Sequence, residues 1–145
     1  MSKDREQFEA WLAVMDQRLG DFRRELPAGV ASRLDGSAAS LDALEAWLLG
    51  RYDSPAAMRA DGEWGTVNGA SRYLGEVIRR ELGGEWDIEL DKPDSVAARV
   101  PIIRGAGTAG STPIAPIFEL SAAADRRTGR YLREGIERLR PPAPV

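Results

Sequence analysis

The fold class of this chain is decided by one continuous stretch, Tyr73-Leu74-Gly75-Glu76-Val77-Ile78-Arg79-Arg80-Glu81-Leu82-Gly83-Gly84-Glu85-Trp86-Asp87-Ile88-Glu89-Leu90. Before the pair Gly83-Gly84, apolar residues recur at steps of three and four, which is the spacing of a helix with one buried face. After the pair they alternate with acidic residues, which is the spacing of a strand. A helix that turns directly into a strand predicts an α+β domain.

Two further helices are predicted on the N-terminal side of this stretch. The first begins with a cap at Asp4, ends at Pro27 and carries a single apolar stripe. The members of the stripe are Phe8, Trp11, Leu12, Met15, Leu19, Phe22 and Leu26. The second helix begins with a cap at Ser40 and ends at Gly50.

The helix that leads into the glycine pair is predicted to run from Glu63 to Leu82. Its interior glycines are Gly65, Gly69 and Gly75. Each costs about 1 kcal/mol relative to alanine, so we expect another helix or the sheet to approach closely there. Each apolar stripe also carries a tryptophan that is predicted to lie in the core, and these are Trp11, Trp47, Trp64 and Trp86.

A small antiparallel sheet of two or three strands is predicted next. Its first strand covers residues 85–90, and turn residues at 91–95 lead to a second strand from Val96 to Ile103. Pro101 suggests that this second strand lies at an edge.

Two helices are predicted at the C-terminal end, at residues 116–124 and 128–139. We expect one α+β domain over residues 1–140, in which N-terminal and C-terminal helices pack on the sheet. Residues 141–145 are rich in proline and are predicted to form a frayed tail.

The composition excludes several kinds of active site. Among 145 residues there is no cysteine and no histidine, which rules out thiolate nucleophiles and Ser-His-Asp devices. No apolar run reaches membrane-spanning length and the N-terminal residues are polar, so we expect a cytoplasmic protein. We predict no cofactor, no metal and no catalytic residue. Whether the chain is an enzyme stays open, although the lack of a catalytic motif favours a non-catalytic role.

A glycine-rich segment, Gly105-Ala106-Gly107-Thr108-Ala109-Gly110, matches part of the dinucleotide-binding signature. That signature requires a helix that begins within the glycines, and Pro113 and Pro116 interrupt any such helix. The sequence therefore favours a mobile loop between the second strand and a helix.

Three acidic residues, Glu85, Asp87 and Glu89, alternate along one face of the first strand. Their oxygens suit a divalent cation such as magnesium or calcium. The more ordinary interpretation is that they keep a sheet edge soluble and wet. This acidic face is one candidate binding surface.

Glu76 is the acidic residue with the most informative surroundings. Arg72, Arg79 and Arg80 are its neighbours at helical spacing, which predicts an exposed, salt-bridged face. The alternative is a partly buried carboxylate that pins the helix to the backbone or to an arginine elsewhere.

Positive charge is concentrated in the last third of the chain. Residues 1–95 carry a net charge of −7, whereas residues 96–145 carry +4. Arg126, Arg127 and Arg130 are the candidate contacts there for an acidic partner or for phosphates. Because the arginines surround the final helix instead of lining one face, nucleic acid is not the partner we expect.

Three segments together resemble a group of uncharacterised bacterial domains: Ser40-Leu41-Asp42-Ala43-Leu44-Glu45-Ala46-Trp47-Leu48-Leu49, Tyr73-Leu74-Gly75-Glu76, and Gly83-Gly84-x-Trp86. In that group a helix bearing Leu-Gly-Glu turns through glycines into a strand that contains tryptophan. The match covers residues 37–90. The resemblance implies a small accessory or immunity-type protein and brings no agreed catalytic residues.

Three functional hypotheses follow. The first is a non-catalytic factor that binds another protein, as an immunity or accessory protein does. Its candidate contacts are Glu76, Glu85, Asp87, Glu89, Arg126, Arg127 and Arg130. The second hypothesis is a small-molecule enzyme that uses Glu76 with arginines, and the third is weak nucleic-acid binding through the arginine-rich final helix. The sequence does not define the oligomeric state.

Overall fold

The computed structural model describes residues 3–91, 94 and 99–142. Within these residues the predicted α+β class is confirmed. The elements in chain order are α1 (Lys3–Ala13), α2 (Met15–Glu25), α3 (Ala28–Ala31), α4 (Ser40–Arg51), α5 (Pro55–Met58), α6 (Trp64–Leu82), β1 (Glu85–Ile88), β2 (Pro101–Arg104), a 3-10 turn (Gly107–Ala109), α7 (Pro116–Arg126) and α8 (Tyr131–Leu139).

The helix α6 is the central element of the fold. It packs against α2, α7, α8 and β2, and its predicted inner face is buried. That face consists of Val67, Ala70, Leu74, Val77, Ile78 and Leu82. The prediction for Trp64 was wrong, because this side chain is 67% exposed at the first turn of α6. The other three tryptophans are partly buried against neighbouring side chains.

The predicted first helix is divided into two. The break lies at Val14, where φ is −106° and ψ is 19°, between α1 and α2. The apolar stripe is otherwise as predicted, since Phe8, Met15 and Phe22 are all buried. The break leaves backbone carbonyls at the end of α1 that need hydrogen-bond donors from elsewhere in the fold.

The helix α4 is tied to the C-terminal half of the chain by Glu45, which is completely buried. Its carboxylate accepts hydrogen bonds from the backbone N–H groups of Tyr131 at 3.2 Å and Leu132 at 2.8 Å. These are the first residues of α8, where a negative charge complements the helix dipole. Glu45 therefore caps α8 from another helix, and α8 begins at Tyr131 instead of at the predicted Thr128.

The glycine pair produces the predicted change from helix to strand. Gly83 and Gly84 both have positive φ, 81° and 101°, which residues with a Cβ rarely adopt. The strands β1 and β2 then pair antiparallel, with Trp86 opposite Ile103.

The sheet has two described strands, and an isolated bridge between Ile103 and Ile114 extends it by one residue pair. In a two-stranded sheet both strands are edges, which suits Pro101 at the start of β2. The predicted beginning of this strand at Val96, together with turn residues 92, 93 and 95, lies outside the described residues.

The glycine-rich segment folds back on itself. The N–H of Gly105 donates to the carbonyl of Gly110 at 2.7 Å, and Ala106 is buried. Gly107 lies so close to α8 that a Cβ would come within 2.1 Å of the Leu139 carbonyl oxygen. A 3-10 turn, Gly107–Ala109, lies within the glycines, but among the described residues no α-helix begins there, because α7 starts only at Pro116.

The chain ends beyond α8 with Pro141 and Pro142 in irregular conformation, and residues 143–145 lie outside the described part. Among the described residues, no helix has both the length and the apolar character that crossing a lipid bilayer requires.

The close approach predicted at the helix glycines is wrong for Gly65 but occurs at Gly69, where a Cβ would lie 2.7 Å from Phe22, and at Gly75, where a Cβ would lie 2.1 Å from the Trp86 indole. We therefore expect Gly75→Ala to lower the free energy of unfolding by about 1–3 kcal/mol through overpacking. Gly65→Ala is the matched control in the same helix, because nothing lies within 4 Å of its added Cβ. It should raise stability by up to about 1 kcal/mol. Urea denaturation of both variants measures the difference, and equal stability changes would contradict the packing assignment.

Candidate functional site

The most unusual side chain in the structure is Arg72 on α6, which is only 2% exposed. Its Nη1 donates to the backbone carbonyl oxygen of Trp11 at 2.8 Å and lies 3.7 Å from the sulfur of Met15. Its Cζ lies 4.0 Å from the centroid of the Trp11 ring, a close cation–π contact. Trp11 is in the last turn of α1, so Arg72 supplies a donor to the helix end that the break at Val14 leaves open.

The charge of Arg72 has no anionic partner. No carboxylate bonds to its guanidinium within residues 3–91, 94 and 99–142, and its Nε is buried without a hydrogen bond. Burial, followed by the nearby cation Arg18, lowers the pKa of Arg72 to about 10. At neutral pH the group is still charged, so within the described part of the chain this buried cation is compensated by dipoles and an aromatic ring, with no carboxylate bonded to it.

Trp11 connects Arg72 to an aromatic cluster under the sheet. Its ring meets Trp86 edge-on at 4.9 Å between centroids, and Phe8 stacks at 6.3 Å. Its indole N–H donates to the side-chain oxygen of Asn68 at 3.0 Å, which fixes the ring against α6. The orientation of Trp11 is thus determined by contacts from three different elements, α1, β1 and α6.

Trp64 stands at the surface next to this cluster. It lines a cavity of about 610 Å³ between α1–α2 and α6, which we call the helix cavity, together with Trp11, Arg18, Asn68 and Arg72. It also lines a second cavity of about 290 Å³, the sheet cavity, whose other walls are mainly apolar. Those walls include Phe8, Trp11, Ile88, Pro101 and Ile117. The two cavities share Trp64 and Trp11, so together they form one continuous surface, the Trp64 groove.

Glu76 has only one of its three predicted arginine partners. Arg79 donates to its carboxylate at 2.9 Å, and the Glu76 side chain is 32% exposed. Arg72 is turned to Trp11 instead, and Arg80 donates to the backbone carbonyl of Asp35 at 2.9 Å. The predicted salt-bridged face is therefore confirmed for Arg79 and wrong for Arg72 and Arg80.

The predicted acidic face of the first strand is largely neutralised within the chain. Arg104 on β2 donates to Asp87 at 2.7 Å and to Glu89 at 2.8 Å, and it also reaches the Ser111 carbonyl. Glu85 is 84% exposed and lies 3.7 Å from Arg79. Burial by itself would raise the pKa of Asp87, but the bond from Arg104 holds it below its ordinary value. Among the described residues, no group of three or more acidic side chains is arranged to hold a metal ion.

The three selected arginines near the C-terminus do not form one surface for a ligand. Arg127 donates to the carbonyls of Leu49 at 2.8 Å and Tyr52 at 2.9 Å, so it closes the end of α4. Arg126 lies over the ring of Tyr131 at 5.5 Å, and Arg130 approaches Glu134 of the next helical turn at 3.5 Å. Their contacts are intramolecular, and those of Arg127 join α7 to α4.

Sequence reasoning did not select Arg72, Arg18 or Trp64 as site residues. A usable signal was present for Arg72, which lies three residues after Gly69 and three before Gly75. These glycines predicted a closely approached face of α6, and an arginine on such a face must be buried or must end in a cavity. No comparable signal marked Trp64, since its spacing matched the buried face.

Comparisons with family models, curated proteins and solved structures found no match to this chain.

The Asp87–Arg104 pair leads to a pH-dependent prediction. Asp87→Asn should lower the free energy of unfolding by about 1 kcal/mol at neutral pH, as expected for a well-formed, partly exposed pair. Because the pKa of Asp87 lies below its ordinary 3.8 in the folded state, this contribution is present above pH 3.8 and is lost as the pH falls through the folded value.

Urea denaturation at about pH 7 and at about pH 2.5 measures this difference, and the two proteins should converge in acid. Glu85→Gln is the control on the same strand, since its side chain is 84% exposed. A loss for Asp87→Asn that persists undiminished in acid would contradict the ion-pair explanation.

Proposed function

We propose that this chain is a non-catalytic factor that binds another protein, as an immunity or accessory protein does, and that the Trp64 groove is its contact surface. A cytoplasmic location forms part of the proposal. It is supported by the complete lack of cysteine, since proteins of oxidising compartments are often stapled by disulfides.

The observation that carries the proposal is the exposure of Trp64. It and Phe118, at 67% and 39%, are the exposed large apolar side chains of the described residues. Tryptophan is the residue type most enriched among side chains that dominate protein–protein binding energy. Here it stands between two cavities, beside apolar walls that include Ile117 and Pro101, and a partner side chain can enter on either side.

The distribution of charge supports a binding role over catalysis. The acidic residues selected from the sequence are engaged within the chain, Glu76 with Arg79 and Asp87 with Arg104. Against the effect of burial, the bond from Arg104 holds the pKa of Asp87 below its ordinary value, so this carboxylate is a poor proton donor near neutral pH. Some arginines instead satisfy backbone carbonyls, as Arg127 does at the end of α4.

Trp64→Ala tests the proposed contact surface. The chain and this variant are used in parallel to capture proteins from a lysate of the organism that encodes it, and the captured protein is then purified and titrated. Loss of Trp64 should weaken binding by about 2 kcal/mol or more, close to thirtyfold in Kd.

Phe118→Ala is the matched control, since Phe118 is the other exposed aromatic and does not line the groove. It should bind the partner with nearly unchanged affinity. A captured partner that binds Trp64→Ala as tightly as the parent chain would refute the assignment of the surface, and a lysate without a reproducible partner would count against the function.

One observation favours the second hypothesis, a small-molecule enzyme that uses Glu76 with arginines. Glu76, Tyr73, Arg23 and Arg80 line a further cavity of about 310 Å³ beside α2. If Glu76 is a catalytic acid, Glu76→Gln abolishes turnover of a small-molecule substrate and leaves the melting temperature nearly unchanged. A large fall in melting temperature without a defined loss of turnover would mark Glu76 as structural. Arg80→Gln is a useful comparison, since this cavity residue makes its hydrogen bond to a backbone carbonyl.

A further inference from the structure

Two guanidinium groups, those of Arg72 and Arg18, line the helix cavity, and of the two Arg72 has no carboxylate partner within the described residues. Arg72 is 2% exposed, and its hydrogen bonds within the described residues go to a backbone carbonyl and a sulfur atom. Arg18, on α2, lines the same cavity and lies 3.5 Å from Asp21. The two cations are close enough for Arg18 to contribute to the lowered pKa of Arg72. Asp21 compensates part of the charge of Arg18, and an anion that enters the cavity would offset the remaining repulsion between the two cations.

The walls around these cations are suited to a ligand with an apolar part. Trp11 and Trp64 contribute indole rings, and nothing lies within 4 Å of the position of a Cβ on Gly65, so the floor beside Trp64 is open. Asn68 accepts the Trp11 indole N–H through its oxygen at 3.0 Å. Its amide nitrogen makes no hydrogen bond within the described residues and remains a donor at the cavity wall.

We propose that the helix cavity binds a carboxylate carried by the partner protein, with an adjacent apolar side chain of that partner packed on Trp64. The carboxylate contacts Arg18 and Arg72, and the apolar side chain extends toward the sheet cavity. This inference rests on the proposed protein-binding function and adds the chemistry of the partner segment.

A carboxylate fits the cavity better than a phosphate does. Arg72 is bonded to the C-terminal end of α1, where the helix dipole is negative and repels an anion in proportion to its charge. Asp21 and Glu25 also line the cavity, so a dianion meets more repulsion than a single carboxylate. Guanidinium groups bind carboxylates through strong, charge-assisted hydrogen bonds, which compensates for the desolvation of both groups.

A polypeptide fits the groove better than a free small acid does. The cations lie in the helix cavity, whereas much of the apolar wall lies beyond Trp64, along Ile88, Pro101 and Ile117. A ligand that uses both regions needs an acidic group and apolar atoms separated by several bonds. Neighbouring side chains on one peptide segment supply that separation.

The test uses defined probes and the intrinsic fluorescence of the groove tryptophans. The probes are N-acetyl-Phe-Asp amide, its neutral analogue N-acetyl-Phe-Asn amide, and N-acetylphenylalanine as a free small acid. The acidic dipeptide should bind about tenfold more tightly than the neutral one at low salt. Equal binding of the two dipeptides, or no saturable signal from either, would overturn the proposal.

Variants of Arg18 and Arg72 test whether the helix cavity causes the preference for the acidic dipeptide over the neutral one. Arg18→Gln should remove most of the tenfold preference, since this side chain is half-exposed and its loss does not threaten the fold. Arg24→Gln is the matched control, because Arg24 lies on the same helix and pairs with the same Asp21 but does not line the cavity. Arg72→Lys, checked by circular dichroism, should also weaken the preference because lysine cannot present the planar fork. An unchanged preference in Arg18→Gln would overturn the site.

The remaining outcomes separate this inference from the proposed function. If N-acetylphenylalanine saturates the chain and the acidic dipeptide does not, the ligand is a free acid and the polypeptide source is refuted. If partner capture depends on Trp64 while no probe distinguishes carboxylate from amide, protein binding stands and the carboxylate inference fails alone.

Discussion

The packing of the N-terminal half of this fold depends on the contact between Arg72 and Trp11. Burying a guanidinium costs several kcal/mol even after relaxation. A desolvated cation–π contact contributes about 2 kcal/mol or more, and a charged hydrogen bond a further 1.5–3 kcal/mol. The geometry at Trp11, with a 4.0 Å ring contact and a 2.8 Å bond to its carbonyl, supplies both. The free-energy cost of burying Arg72 is therefore offset by contacts with Trp11, which the last turn of α1 places against α6.

This constraint extends to the sheet and to the surface. Trp11 lies against Arg72, and Trp86 meets Trp11 edge-on. The Trp86 ring also lies directly on Gly75, where a Cβ would come within 2.1 Å of it. Trp64, at the start of α6, lines the same two cavities as Trp11 and is 67% exposed. The Arg72–Trp11 contact thus holds an aromatic cluster together, and an exposed tryptophan lies beside it.

Much of the architecture could be predicted from the sequence, because it depends on local spacing. The glycine pair at 83–84 and most of the inner face of α6 follow from short-range rules. The candidate site was predicted less well. Glu76 and Asp87 were selected for their charge, and both turned out to pair with arginines of the same chain. The arginine that pairs with Asp87 is distant from it in sequence. For Glu76, the direction of the side chains decides which of its three neighbouring arginines forms the salt bridge.

What the sequence determined by itself is the class of fold, the helix-to-strand turn and the exclusion of histidine and cysteine chemistry, since these depend on residue type and on neighbours within a few positions. Tertiary structure decided where the charges go. In the sequence, Glu45 is one polar residue in an apolar run, but in the fold its carboxylate accepts hydrogen bonds from two N–H groups of α8. Arg72 is one of three helical neighbours of Glu76, but in the fold it bonds to the end of α1 instead. Whether a charged side chain is solvated, paired or buried depends on atoms of residues that are distant in sequence, and short-range sequence patterns do not identify those residues.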